Sequence, residues 1–104
     1  MADNSLYTIE DIKSAVEYVA PDFKVKQVQL FGSYADGLAT ENSDVDILVE
    51  FGERPITLWD VSGFQRTLSE YLDIKIDMVR LPLSKETSEN LDIQKVVQLY
   101  GWVK

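Results

Sequence analysis

Two short apolar runs, Val25–Phe31 (VKQVQLF) and Val45–Phe51 (VDILVEF), bracket a polar connection that two glycines break up. Runs of this length, rich in β-branched and aromatic residues and closed by turn residues, read as strands. Gly32 stops the first, and Gly32–Ser43 is too interrupted to hold a long element. A third run, Asp73–Val79 (DIKIDMV), alternates charged and apolar residues and reads as another strand. The segments around these runs carry the helical period instead. Thr8 is placed to cap a helix with Glu10 and Asp11 in its first turn, Ile9, Ile12, Val16 and Val19 on one face, and Pro21 and Asp22 at its end. Thr57 is placed to cap a second, whose buried stripe would be Leu58, Val61, Phe64, Leu68 and Leu72. Leu91–Leu99 is expected to form a last helix, with Leu91, Val96 and Leu99 toward the core. The order is helix, strand, short turn or helix, strand, helix, strand, helix. That order predicts a small α/β (α+β) domain around a three-stranded core sheet.

Residues 1–104 read as a single domain with no repeat or linker. The composition narrows the chemistry. There is no cysteine and no histidine, which excludes disulfides, zinc–thiolate sites, thiol nucleophiles and imidazole-based catalysis. Eighteen acidic against ten basic residues give a net charge of −8, which argues against nucleic acid or an anionic membrane as the main partner. No apolar run is long enough to span a bilayer, and Met1–Ser5 lacks the basic and apolar regions of an export signal, so the expected compartment is the cytoplasm. Catalysis, if present, must run on carboxylates, hydroxyls, Lys, Arg and a hard metal ion.

One segment can do this. On a strand, Asp44 and Asp46 would point to the same face with Cα atoms about 6.6 Å apart. Two carboxylates so placed repel unless water or a cation separates them. Magnesium suits such a pair, because it takes one or two carboxylates together with substrate phosphates. Gly32 at a strand end allows close backbone approach, and Ser33 offers a hydroxyl and an amide to a phosphate. From Gly32 to Glu53 there are six acids and no Lys or Arg, so an anion bound there needs a cation with it. Asp77, between Ile76 and Met78 on the third strand, is the candidate third carboxylate and base. Each of these has a plain alternative. Asp44-x-Asp46 can be a solvated strand face, Gly32-Ser33 and Ser43 turn residues, and Asp77 an ion-pair partner of Lys75 or Arg80.

Gly32-Ser33, ten residues, then Asp44-x-Asp46 resembles the signature of the DNA polymerase β-like nucleotidyltransferases. The fuller string LFGSYADGLATENSDVDILVEF is similar to the minimal nucleotidyltransferase (MNT) antitoxins, and the likeness extends over the whole chain, through Ile76-Asp77-Met78-Val79 to Leu99-Tyr100-Gly101. The resemblance implies a nucleotidyltransferase fold, a small mixed sheet of three to four strands flanked by helices. It implies ATP as co-substrate and Mg2+ as cofactor, with Asp44, Asp46 and Asp77 as catalytic metal ligands, Asp77 also as base, and Gly32 and Ser33 on the β- and γ-phosphates. It further implies a HEPN-domain ribonuclease toxin as partner, silenced by transfer of AMP to one of its tyrosines. One position departs from the family. Relatives commonly read Gly-Ser-Tyr-Ala-Arg-Gly, and here Asp36 replaces that Arg, with Arg54, Arg66 and Arg80 as candidate substitutes. The departure leaves open a second mode, an antitoxin that inhibits by binding alone. A third, transfer to a small molecule, would need a partner chain to shape the acceptor pocket.

Overall fold

The computed structural model describes residues 7–52, 55–81 and 95–101. The first helix, α1 (Ile9–Val19), begins where Thr8 and Asp11 form a reciprocal capping box: the Asp11 amide donates to the Thr8 hydroxyl at 3.0 Å and the Thr8 amide to the Asp11 carboxylate at 2.9 Å. Such a cap is worth about 1 kcal/mol. Pro21 lies in the first turn of a 3-10 segment, Ala20–Phe23, that ends the helix, and Lys24 adopts φ 63° to turn the chain into β1 (Val25–Phe31). A single helical turn, α2 (Ser33–Asp36), follows Gly32, and β2 (Val45–Phe51) follows the connection. The long helix α3 (Leu58–Leu72) starts at a second capping box, Thr57 with Asp60, and leads into β3 (Ile76–Arg80). A fourth strand, β4 (Val97–Tyr100), completes the described structure. Among the described residues no helix is long and apolar enough to cross a membrane.

The sheet order is β3-β2-β1-β4. β1 runs antiparallel to β2 and β4, while β2 and β3 are parallel, joined by α3 as a parallel pair requires. Val45, Ile47 and Val49 on β2 and Val28 and Leu30 on β1 are fully buried and belong to one core with Ile12, Val16, Phe64 and Leu68 of the helices. Because strand side chains alternate, Asp46 between Val45 and Ile47 must point to the opposite face.

Two expectations are corrected. Val97–Leu99, expected at the end of a last helix, belongs to the strand Val97–Tyr100, and the Leu91–Gln94 part of that expectation lies outside the described residues. The segment pairs with the free edge of β1, Val97 opposite Leu30 and Gln98 opposite Gln29, and β-branched Val97 suits that position. A register shift there makes Leu99 the extra residue of a bulge, and Leu99 is buried in the core. The core sheet is therefore four-stranded. On α3, Phe64, Leu68 and Leu72 are buried as expected, but Leu58 is 78% exposed. It occupies the first helical position, next to the N-cap, and neighbouring Trp59 is exposed beside it.

Candidate active site

The parallel register sets Asp46 beside Asp77, and the antiparallel register sets Phe31 on its other side. Adjacent strands lie about 4.8 Å apart, so the two carboxylates leave the same face of the sheet as neighbours. Their proximity is visible in their chemistry. Burial, then the charges of Asp77 and Asp44, and a hydrogen bond shared with Asp77 raise the Asp46 pKa to about 6.

Gly32 closes the other side of Asp46. It caps α2 with φ 76°, and a Cβ there would lie 3.1 Å from the Asp46 Cγ and collide with its carboxylate oxygen. The absence of a side chain is thus what lets the β1–α2 turn lie directly against the carboxylate. Ser33 opens α2, whose first amides have no intrahelical acceptor. The structure therefore gathers Gly32, Ser33, Asp46 and Asp77 into one place. Asp44, just before β2, turns instead to Lys75, with Oδ2 3.7 Å from Nζ. Both side chains are substantially exposed, and a pair of this kind is worth under about 1 kcal/mol. Lys75, one of the two partners suggested for Asp77, is thus spent on Asp44. As the side chains stand, no group of three acidic residues among the described residues encloses a cation-sized space.

The donor set nevertheless suits a hard divalent cation. Asp46 and Asp77 are register partners whose like charges a cation between them would relieve, the donors are all carboxylate oxygens, and Gly32 keeps the approach clear.

Other candidates separate from this group. Ser43 accepts from the Thr40 amide at 2.9 Å and is a turn residue. Asp36, the last residue of α2, is exposed. Neither described arginine stands in for the family's cation there: Arg66 pairs with Glu70 at 3.3 Å, and the Arg80 guanidinium lies 5.6 Å over the Phe51 ring. Arg54 lies outside the described residues.

One supporting residue escaped the sequence reading. Gln65 on α3 donates its side-chain amide to the Ile76 carbonyl at 2.7 Å, directly before Asp77 in the chain. Its only signal was a polar residue at the margin of the apolar stripe of α3.

Comparison with known proteins gives the family and the fold. The family model for the nucleotidyltransferase domain matches residues 12–100. A Thermococcus cleftensis protein named protein adenylyltransferase MntA is 35% identical over 79 residues, covering 72% of this chain and 79% of that protein. A Methanocaldococcus jannaschii protein, provisionally designated a protein adenylyltransferase, is 37% identical over 76 residues, covering 73% and 72%. Among solved structures, a minimal nucleotidyltransferase of provisional designation superposes with TM-score 0.66 at 31% identity, covering 82% of this chain and 90% of that one. A toxin–antitoxin complex with AMP-PNP contains a chain that superposes with TM-score 0.68 at 25% identity, covering 86% and 73%.

Proposed function

The chain belongs to the nucleotidyltransferase domain family and is a minimal nucleotidyltransferase, and we propose that it transfers AMP from ATP to a tyrosine of a HEPN ribonuclease toxin, as that toxin's antitoxin. The observation that carries this reading is the placement of Asp46 between Asp77 and a side-chain-free Gly32. One neighbour supplies a carboxylate for the acceptor, and the other a backbone surface for the donor phosphates. The relatives' name, protein adenylyltransferase, supports AMP as the group moved, and the similar structure with AMP-PNP supports a nucleotide ligand within a toxin–antitoxin pair.

In this reading Gly32 and Ser33 receive the β- and γ-phosphates on backbone amides and the Ser33 hydroxyl. Asp44, Asp46 and Asp77 would hold Mg2+, which when bound offsets triphosphate charge and favours the ionised acceptor hydroxyl. Asp77 takes the proton of the attacking hydroxyl. The acceptor oxygen bonds to the α-phosphorus, the bond to the bridging oxygen of the β-phosphate breaks, and pyrophosphate leaves on the Gly32–Ser33 side. The Lys75–Asp44 pair is weak and exposed, so Asp44 changes partner at little cost.

The test is to incubate the protein with MgATP and the toxin encoded in the adjacent reading frame, then weigh the toxin and assay its ribonuclease. A gain of one or more AMP masses on tyrosine, with loss of activity, is expected. A second reading, inhibition by binding alone, is favoured by Asp36, an exposed acid where relatives carry a cation. Toxin that is silenced without any gain of mass, even by an Asp44→Asn/Asp46→Asn double variant, would establish it.

A further inference from the structure

Beyond β3 the sheet edge borders a groove of about 420 Å³, walled by Ser62, Gln65, Arg66 and Ser69 of α3 and floored near Lys75 and Asp77. We propose that this groove seats the segment of the acceptor protein that carries the attacking hydroxyl, with the hydroxyl side chain entering past Asp77. The proposal rests on the adenylyl-transfer reading and assigns it an acceptor side.

Direction comes from the sheet order. Gly32–Ser33 at the end of β1, Asp46 on β2, Asp77 on β3 and the groove follow one another across the sheet. Attacking and leaving oxygens lie roughly in line in phosphoryl transfer. With pyrophosphate leaving toward Gly32–Ser33, the hydroxyl must arrive from the side of Asp77, where the groove opens. Its volume lies within the range of binding pockets and accommodates a tyrosine side chain with a neighbour.

The lining determines how a segment could be held. Gln65 and Ser69 each donate a hydrogen bond of 2.7 Å, to the carbonyls of Ile76 and Ile74 respectively. These two carbonyls already accept a hydrogen bond from within the chain, which leaves less of this edge for a visiting strand to pair with. Recognition falls to side chains. Arg66 and Lys75 are 80% and 71% exposed, each held only by a weak exposed pair, and in an acidic chain they offer cations to carboxylates flanking the acceptor residue. Trp59, Ser62, Arg66 and Ser69 fall on one stripe of α3 at helical spacing, so Trp59, 83% exposed, continues the groove as an aromatic anchor. The fitting occupant is a hydroxyl-bearing segment with acidic residues and an apolar side chain beside it.

Ser62→Trp fills the groove from an exposed position without touching the carboxylates, and Arg66→Glu reverses one wall charge. Both are to be compared with wild type for MgATP affinity by calorimetry, for the KM of the toxin from the adjacent reading frame, and for toxin affinity without nucleotide. MgATP affinity within twofold of wild type is expected, with the toxin KM and dissociation constant raised about tenfold by Ser62→Trp. Arg66→Glu should weaken toxin binding severalfold, and Arg66→Lys should restore most of it. Unchanged toxin KM and affinity in Ser62→Trp and Arg66→Glu would overturn the proposal. So would toxin binding left intact by Ser62→Trp while the variant and wild type differ in oligomeric state, which would make the occupant a second copy. If wild type transfers no AMP, the adenylyl-transfer reading fails, and toxin affinity without nucleotide still decides the groove.

Discussion

Asp46 and Asp77 stand opposite each other on the parallel strands β2 and β3, close enough that burial and the neighbouring acids lift the Asp46 pKa to about 6. The ordinary value is 3.8, so folding is linked to proton uptake at this site. A pKa raised on folding stabilises the protein fully below pH 4, and the contribution disappears as pH rises through 6. Metal-free protein should therefore lose stability from this site between pH 4 and 7. A shift of two units corresponds to about 3 kcal/mol, and solvent screening of a half-exposed carboxylate reduces it to roughly 1–2 kcal/mol. Asp46→Asn should raise the melting temperature at pH 7 in EDTA and flatten its pH dependence over this window. Mg2+ should stabilise wild type and leave the variant unmoved, as thermal unfolding at several pH values would show.

Asp44→Asn combined with Asp46→Asn should abolish magnesium-dependent ATP binding. Repulsion between a triphosphate and the local acids must be offset by a cation, and the variant loses the ligands proposed to hold it. Calorimetry with and without EDTA distinguishes the cases. Equal MgATP affinity in the double variant would remove these residues from the site.

Asp77→Asn should leave ATP binding within a fewfold of wild type and slow AMP transfer by about 10²-fold, the usual size of a general-base contribution. The measurement is a single-turnover rate at saturating MgATP. An unchanged rate would return Asp77 to an exposed strand residue.

Gly32→Ala should cost both stability and nucleotide binding. The positive φ of Gly32 costs an alanine about 1 kcal/mol, and its methyl group must displace the Asp46 carboxylate. Gly37→Ala serves as the control. It shares the positive φ but has open space around the added methyl, so it should lower the melting temperature slightly and leave MgATP affinity intact.

Asp36→Arg should change MgATP affinity by no more than about threefold. Asp36 is exposed at the end of α2, and solvent and salt screen a charge so placed. Tightening of tenfold or more would bring the residue to the phosphates.

Part of the site was legible because strand alternation forces Asp46, between Val45 and Ile47, away from the core, whereas Asp44 lies just before β2 and turns to Lys75, which alternation does not reveal. Gly32 was legible as a turn residue, but its reason, contact with the Asp46 carboxylate, depends on a strand pairing that the spacing does not reveal. The adjacency of Asp77 likewise rests on the parallel register set by α3. Lys75 was a plausible partner for Asp77 by proximity in sequence, yet the turn before β3 delivers it to Asp44. Val97–Leu99, expected at the end of a last helix, is strand because its short apolar pattern satisfies a helical stripe as well as a strand, and only the open edge of β1 decides between them. Leu58 fits the helical period of α3, but the period carries no information about how much of the helix's first turn is covered, and Leu58 is exposed there.

The placement of β4 has a consequence for biosynthesis. β1 has its neighbour β2 close by in sequence on one side, while its other side is filled only by Val97–Tyr100, far along the chain. Until Tyr100 has left the ribosome, the β1 edge carries unpaired backbone groups beside Val28 and Leu30, which are fully buried in the finished fold. A stalled or prematurely ended chain would thus present a bare strand edge, and such an edge is the template on which nascent chains pair with one another.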